Sequence, residues 1–310
     1  MANAAQGTLF QIGDASGSPE KYATLTEVTS ITGGSVTNPT IDATTLENDW
    51  RTYISSKLPD AGEVAISVNW EPDSSLHATM IGLAEGGTAG TYQICWPDWM
   101  PAEASGTFAA ATNDIVTTGS AHSLATGDMC RVSNSGGALP AGLAASTTYY
   151  AGVISSTTLK LYATQAAAIT TGTAVDITGT GTGTHTIHYD GIGVASVDNG
   201  TEIITTSYPH ELVTGQPVRV VGTPAAGLET ATTYYAIRLS ATTLWLATTN
   251  ALAIAGTAIN LTDTAATFDI TPGRVWRFEA NLTGANDPTS APGEQITLET
   301  SWKITGSITL

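Results

Sequence analysis

Two histidines in the middle of the chain are the first candidates for chemistry, because imidazole nitrogens bind metal ions and carry protons near neutral pH. His185 and His188 lie in the segment GTGTGTHTIHY, residues 179–189. Residues three apart in a strand point to opposite faces of the sheet, so the two rings are not expected to share a metal ion. The glycine-rich run before them opens no helix and is not expected to cradle a phosphate. We predict structural or solvent-exposed histidines here, and no metal or cofactor site.

Sequence motifs of common enzyme classes are missing. The chain contains no G-x-S-x-G nucleophile turn, no phosphate-binding P-loop and no H-E-x-x-H zinc motif. We therefore predict that the protein is not an enzyme.

Two pairs of adjacent tyrosines are candidates for a sugar-binding platform. Tyr149–Tyr150 and Tyr234–Tyr235 each lie in a segment that reads TTYYA. Successive residues of a strand point to opposite faces, which favours aromatic residues in the core and at the edge of a sheet over a sugar site.

The tyrosine pairs belong to an internal repeat. IVTTGSAHSLATGDMCRVS (115–133) resembles IITTSYPHELVTGQPVRVV (203–221) at a constant offset of 88 residues. After a three-residue deletion, the match resumes between residues 140–164 and residues 224–248. A repeat of this kind indicates two copies of one supersecondary unit.

Each copy reads as short alternating strands joined by glycine- and proline-containing turns, with no helical period of useful length. We predict two small β-modules, a barrel or sandwich each, over residues 112–187 and 198–270. His122 and His210 occupy equivalent positions before a turn, and we expect each to hydrogen-bond the turn backbone.

The rest of the chain, residues 1–107 and 272–310, is predicted to form one discontinuous core domain into which the two modules are inserted. Residues 62–70 alternate between apolar and polar side chains and predict a half-buried strand. Residues 74–85 follow a helix-capping signal, carry apolar residues at helical spacing and stop at two glycines, which predicts one short helix. The fold class is therefore all-β with a single flanking helix.

Composition limits the class of partner. Only 12% of the 310 residues are charged, and the formal net charge is −17. This charge disfavours nucleic-acid binding through neutralisation of phosphates. The ordinary explanation of such acidity is solubility. Cys95 and Cys130 are expected to be reduced thiols, which suits a cytosolic origin. No run of 18 apolar residues occurs, so no membrane span is predicted.

A long segment between two predicted strands, residues 42–60, shows neither the hydrophobic period of a helix nor that of a strand. A loop of about 18 residues without its own structure is uncommon and is usually functional or disordered. This one carries apolar and cationic side chains, Trp50, Arg51, Tyr53, Ile54, Lys57 and Leu58. Disordered segments are poor in aromatic residues, so the loop is expected to be buried against a partner or against its own core.

Three phrases in this order carry a family resemblance. They are EVTSITGGSVTNPTIDATTLEN (27–48), DAGEVAISVNWEPD (60–73) and GEQITLETSWKITGSITL (293–310). Together with the loop and the helix, they resemble the major tail tube protein of long-tailed, non-contractile bacteriophages. The repeated modules are similar to a small β-module of phage virion proteins.

The resemblance implies a structural protein of the virion tail, assembled in the cytoplasm of the host bacterium. In that family six subunits form a ring, rings stack into a hollow tube with a negative inner surface, and viral DNA passes through without specific binding. The long loop then reaches a neighbouring subunit. The implied partners are the protein itself, the tail tip or initiator complex, the tape measure protein and the tail terminator. The alternative is a phage adhesin or decoration protein that binds host glycans through the repeated modules.

Overall fold

The computed structural model describes residues 7–15, 20–33, 37, 39–45, 50–55, 60–87, 89–100, 102–145, 147–264, 267–285 and 295–305. Within them the chain is mostly strand, with three short helices. The predicted all-β class is therefore confirmed. In chain order the elements are β1 (Leu9–Gly13), β2 (Tyr22–Thr24), β3 (Val28–Gly33), β4 (Thr40–Asp42), β5 (Tyr53–Ser55), β6 (Glu63–Asn69), α1 (Ser75–Gly86), β7 (Gly90–Trp99), β8 (Ala104–Ala110), β9 (Val116–Thr118), β10 (Met129–Ser135), β11 (Thr148–Val153), β12 (Thr158–Tyr162), α2 (Gln165–Ile169), β13 (Thr184–Tyr189), β14 (Ile192–Asp198), β15 (Ile203–Thr206), β16 (Pro217–Thr223), β17 (Tyr234–Arg238), β18 (Thr243–Ala247), α3 (Asn250–Ala255), β19 (Thr267–Ala285) and β20 (Thr297–Ile304).

The chain divides into two compact units. Unit 1 contains Met1–Pro97 and Arg274–Leu310, and unit 2 contains Asp98–Gly273. The divisions fall near the junctions expected from the repeat, at residues 107 and 272, although the first lies ten residues earlier in the chain.

Unit 1 is built from antiparallel strands around one core. β6 pairs with β3 on one side and β20 on the other, and β20 pairs with β19. β1 pairs with both β2 and β7. Along β6, Val64, Ile66 and Val68 are buried, so the alternation read from the sequence is confirmed. At the centre of the core, fully buried Trp302 meets the ring of Tyr92 edge-on at 4.5 Å.

The helix α1 covers this core and lies where the sequence predicts it. Ser74 is the N-cap, and its hydroxyl accepts the amide hydrogen of His77. Gly87 ends the helix in the left-handed conformation, with φ of 59°. Met80 and His77 are the buried residues of the helix. The helix therefore begins and ends at the capping residues that the sequence indicates. Met80 packs in the core of unit 1 and holds the helix against it.

Unit 2 contains two six-stranded barrels of the same topology. The first closes in the order β10-β11-β12-β9-β8-β13. The second runs β16-β17-β18-β15-β14 and closes through the start of β19, which pairs with both β14 and β16. The repeat seen in the sequence thus corresponds to the same barrel built twice. Because β8 (Ala104–Ala110) belongs to the first barrel, that barrel begins before residue 112, and the second begins at Ile192 rather than 198.

Each barrel also carries a short helix that the sequence did not predict. α2 and α3 have five and six residues, and Thr164 and Thr249 cap them in equivalent positions. Ala168 and Ala253 are the buried residues of the two helices. A helix of about one and a half turns is too short to establish a hydrophobic period, which explains why it was missed.

Candidate assembly interface

The predicted loop is partly a hairpin, which we call the arm and define by its described residues, 40–45 and 50–55. β4 and β5 pair antiparallel within it, with Ile41 opposite Ile54 and Asp42 opposite Tyr53. The expectation of a loop without its own structure is therefore wrong for these residues. Two three-residue strands were too short to show an alternating pattern against the polar residues around them.

The arm exposes its apolar side chains instead of burying them. Every residue of β4 and β5 is exposed. Trp50 is 86% exposed, and Ile41, Tyr53 and Ile54 are each just over half exposed. Single exposed apolar residues are normal, but four of them in one short hairpin are typical of an interaction site.

Local hydrogen bonds shape the arm in the absence of a core. The carboxylate of Asp42 accepts hydrogen bonds from the amide of Thr44 at 2.9 Å and from its hydroxyl at 2.5 Å. These two bonds lower the pKa of Asp42. The hydroxyl of Thr44 accepts from the amide of Thr52 across the hairpin at 3.0 Å. Near the tip, a guanidinium nitrogen of Arg51 lies 3.4 Å from the hydroxyl of Tyr53.

The base of the arm is anchored to the core of unit 1. Thr37 and Asp60 exchange two backbone hydrogen bonds of 2.8 Å. The Asp60 carboxylate accepts both from the ammonium of Lys303 on β20, at 2.8 and 2.9 Å, and from the amide of Gly62. The pKa of Asp60 is lowered, first by the Lys303 hydrogen bond and then by the Gly62 amide. Two other predicted loop residues, Lys57 and Leu58, lie outside the described residues.

A second surface feature of unit 1 is an open groove of about 590 Å³ at the start of α1. We call it the groove and define it by its lining residues, Thr26, Trp70, Glu71, Pro72, Asp73, Ser74, Ser75 and Leu76. Its rim is acidic, because Glu71 and Asp73 are both exposed. Trp70 and Leu76 are half-buried and contribute apolar surface.

His77, which is fully buried, holds the groove in shape. Its Nδ1 accepts the amide hydrogen of Glu71 at 3.0 Å, and its Nε2 lies 3.3 Å from the carbonyl oxygen of Thr26. This pair of contacts requires the tautomer with hydrogen on Nε2. The ring also stacks on Trp70 with centroids 5.5 Å apart. Sequence reasoning missed His77, since its partners come from two separate turns that only the fold brings together.

The histidines singled out in the repeats are placed in unit 2. His185 and His188 lie on opposite faces of β13, as predicted, and have different hydrogen-bond partners. The ring of His185 is bonded to Asn134 and to the carbonyl oxygen of Thr180, at 2.8 and 3.1 Å.

His188 belongs to a polar cluster that joins the two barrels. Its Nδ1 lies 3.0 Å from the carboxylate of Glu103, and its Nε2 lies near the hydroxyls of Ser133, at 2.9 Å, and Tyr208, at 2.7 Å. Serine, histidine and glutamate in this order resemble a hydrolase triad. Here, however, Tyr208 from the second barrel competes for the same nitrogen, and the Glu103 carboxylate also accepts from the Gly193 amide at 2.7 Å. The cluster is therefore assigned to barrel packing.

Burial by itself would raise the pKa of Glu103. The hydrogen bonds from His188 and the Gly193 amide outweigh burial, so the pKa is lowered and the carboxylate stays ionised. A charged carboxylate accepts stronger hydrogen bonds than a neutral one, which strengthens the joint between the barrels.

The tyrosine pairs do not form a sugar platform with both rings. Tyr149 and Tyr234 are buried in the two barrels. Their hydroxyls accept the backbone amide hydrogens of Ala144 and Glu229, each at 2.8 Å. One tyrosine of each pair is thus buried and hydrogen-bonded to a backbone amide in the same way in both barrels.

The paired histidines His122 and His210 differ in their contacts. His210 bonds the turn backbone as predicted, since its Nδ1 accepts from the Leu212 amide at 3.0 Å. The ring nitrogens of His122 are buried and have no hydrogen-bond partner among the described residues, so the same prediction is wrong for its ring.

Both cysteines are buried thiols without a disulfide. Burial raises the pKa of Cys95 and of Cys130 to about 12. Among the described residues, no group of three or more histidine, cysteine, aspartate or glutamate side chains is placed to hold a metal ion. None of the helices in the described part of the chain is long and apolar enough to cross a membrane.

Comparison with known proteins gives one family match, over the region that contains the arm and the groove. Residues 1–126 match the family model described as phage tail tube, TTP, lambda-like. This region is similar to phage tail tube proteins. The match ends inside the first barrel, so it covers the arm, the groove and α1 but neither the second barrel nor β20. No curated protein matches the chain.

The match makes the region of the arm, the groove and α1 similar to a structural protein of phage tails. The family resemblance read from residues 27–73 is thereby confirmed. The family match extends to residue 126, past the residues 27–73 that carry the resemblance.

Proposed function

We propose that the protein is the major tail tube subunit, which forms hexameric rings that stack into a hollow tube for the passage of viral DNA. The observation that carries the proposal is the arm, whose apolar residues are exposed in the single chain. Aromatic residues are the usual anchors of protein interfaces, and Trp50 and Tyr53 supply two of them. The arm is the part of unit 1 that reaches a neighbouring subunit.

Charge supports passage of DNA without binding. The predicted core, residues 1–107 and 272–310, has seventeen acidic and six basic residues, while the insert between them has ten and four. The excess of negative charge is thus larger in the part that would line a tube. An inner surface of this sign repels phosphates and lets the nucleic acid slide.

The remaining partners follow from the same proposal. A tube of stacked rings needs an initiator at the tail tip, a tape measure protein in its lumen during assembly and a terminator at its other end. Assembly takes place in the host cytoplasm, and the two buried thiols are compatible with a reducing compartment.

The test is negative-stain electron microscopy of the concentrated protein, with light scattering on the same sample. Rings or hollow tubes are expected from the unaltered chain. Trp50→Ala is expected to stay folded, because the side chain is 86% exposed, and to remain monomeric. Ile154→Ala is the matched control, since Ile154 is 57% exposed in unit 2 and is not part of the arm.

Tubes formed by Trp50→Ala as readily as by the unaltered chain would contradict the role of the arm. A discrete trimer of the unaltered protein that binds host cells would instead support the adhesin alternative.

A further inference from the structure

We propose that the groove at the start of α1 receives the arm of a second copy of the chain, with Trp50 packed against Trp70 and Leu76 and with Arg51 paired to Glu71 and Asp73. This inference rests on the proposed function, since it identifies the surface that the arm contacts. It names both halves of one heterologous interface, the kind that builds rings or filaments.

The first argument is that both surfaces are open in one and the same chain. The arm exposes its apolar residues, and the groove is an unfilled depression of about 590 Å³. Both lie in unit 1, so a single copy carries a donor surface and an acceptor surface, each left unfilled. A second copy can satisfy both, and repetition of the contact extends the assembly without any further component.

The second argument is complementary charge. Glu71 and Asp73 give the groove two exposed carboxylates, which outweigh the roughly half positive charge at the N-terminus of a helix. Cations are scarce in this acidic chain, and two of those in unit 1 are already used, Lys303 by Asp60 and Arg277 by Gln93. Arg51 lies at the exposed end of the arm, where it contacts Tyr53.

The third argument is that the groove is already formed before anything binds. The two hydrogen bonds of His77 fix the backbone of Glu71 and Thr26, and its ring supports Trp70. An acceptor of fixed shape loses little conformational freedom on binding, which favours specific docking of an aromatic anchor. The arm is likewise held by bonds among Asp42, Thr44 and Thr52.

The test mixes two full-length variants that each lack one half of the interface. The arm variant carries Trp50→Ala and Arg51→Ala, and the groove variant carries Glu71→Lys and Asp73→Lys. Each variant alone is expected to remain a monomer of 31.8 kDa by size-exclusion chromatography with light scattering. A one-to-one mixture is expected to give a heterodimer of twice that mass and nothing larger, because only one functional arm and one functional groove remain per pair.

Two controls keep the experiment interpretable. A variant with Glu85→Lys and Glu229→Lys changes two exposed acidic residues outside the groove and is expected to assemble like the unaltered chain. Circular dichroism and thermal unfolding check that every variant is folded.

Cross-linking covers the case in which association is weak. Trp50→Cys in one copy and Leu76→Cys in a second copy are expected to form a disulfide-linked heterodimer under mild oxidation. Because Cys95 and Cys130 are buried, the native thiols contribute little background. A mixture of Trp50→Cys with Ile154→Cys is expected to give less than a tenth of the product.

The outcomes separate the inference from the proposed function. Assembly of the arm variant alone would overturn the role of the arm, and with it this inference, but not the proposed function. An unaltered chain that forms neither rings nor tubes would overturn the proposed function. Assembly of the groove variant alone, or the absence of both the heterodimer and the Trp50→Cys–Leu76→Cys product, would overturn the groove as acceptor while leaving the arm in place.

Discussion

His210 and His122 occupy equivalent positions of the repeat, but of the two only His210 has ring hydrogen bonds among the described residues. Its ring is buried in the second barrel, where the Leu212 amide donates to Nδ1 and Nε2 lies 3.4 Å from the carbonyl oxygen of Thr243. Burial lowers the pKa of His210 to about 4, and the nearby charge of Arg238 acts in the same direction. The Thr243 carbonyl opposes the shift but does not overcome it.

This pKa predicts a pH dependence of stability. The unfolded histidine titrates near 6.5, so the unfolded state binds more protons than the folded state below that pH. The contribution is fully present above pH 6.5 and is lost as the pH falls towards 4. Over that window we expect a loss of about 3 kcal/mol in the free energy of unfolding from this residue.

Urea unfolding of the whole chain at pH 7.5, 5.5 and 4.5 measures this effect. His210→Asn keeps an acceptor near Nδ1 but cannot titrate, so its stability is expected to fall less steeply with acid. His122→Asn, at the equivalent position of the first barrel, is the matched control. Equal pH dependence for His210→Asn and the unaltered chain would refute the assignment.

At the scale of elements, the repeat preserves a turn that holds each barrel together. Asp114 and Glu202 occupy equivalent positions before β9 and β15, and both adopt the left-handed conformation, with φ of 65° and 61°. Their carboxylates accept backbone amide hydrogens from Ile177 and Leu261, at 2.8 and 2.6 Å. Each acid therefore bonds its turn to a segment some sixty residues further along the chain.

Replacing Glu202 tests this turn. Glu202→Ala is expected to destabilise the protein by about 1–3 kcal/mol, because the buried amide of Leu261 loses a charged acceptor. Glu202→Gly is expected to be less damaging, since glycine adopts positive φ without strain. Thermal unfolding compares both with Glu229→Ala, whose side chain is exposed. If Glu202→Ala melts like the Glu229→Ala control, the hydrogen bond does not stabilise the barrel.

The sequence predicted those elements whose signals are local and long enough to read. β6 has a seven-residue alternation, and α1 has a cap at each end, so both were found. The strands of the arm, with three residues each, and the short helices of the barrels lie below the length at which a period is visible. Asp114 and Glu202, the acids with positive φ before β9 and β15, lie at the same offset of 88 residues as the rest of the repeat, so the sequence carries a signal for this turn.

Of the two surfaces of the candidate interface, only the arm could be predicted from the sequence. An exposed tryptophan and tyrosine in an otherwise polar loop stand out in the sequence, because a soluble monomer has little use for them. The groove could not be predicted in the same way. Its residues Thr26 and Trp70 are far apart in the chain, and His77 gathers them only after α1 has packed on the sheet.

At the scale of the whole molecule, the two units differ in their unpaired strand edges. Among the described strands, each barrel of unit 2 closes on itself and leaves no unpaired edge. In unit 1 the described strands end at β3 on one side and β2 on the other. Open edges are sites where a further chain can add by backbone pairing, and with the arm and the groove they make unit 1 the part suited to assembly.

It follows that assembly should survive removal of the barrels. The backbone amide of Met100 donates to the carbonyl oxygen of Pro272 at 3.0 Å, so the two ends of the insert are already hydrogen-bonded neighbours. Replacing residues 101–271 by Asn-Gly would close this gap with a two-residue turn of the kind that joins antiparallel strands. Unit 1 has its own hydrophobic core, which includes Trp302 and Met80, and is expected to fold without the barrels.

Electron microscopy of the shortened protein is the measurement, with tubes thinner than those of the unaltered chain as the expected result. Such tubes would make the barrels an accessory carried on the tube, free to bind other ligands with an avidity set by their spacing. The same deletion combined with Trp50→Ala is the control, and it should abolish assembly. A shortened protein that is folded, by circular dichroism and cooperative unfolding, yet stays monomeric would show that unit 2 contributes contacts to the interface.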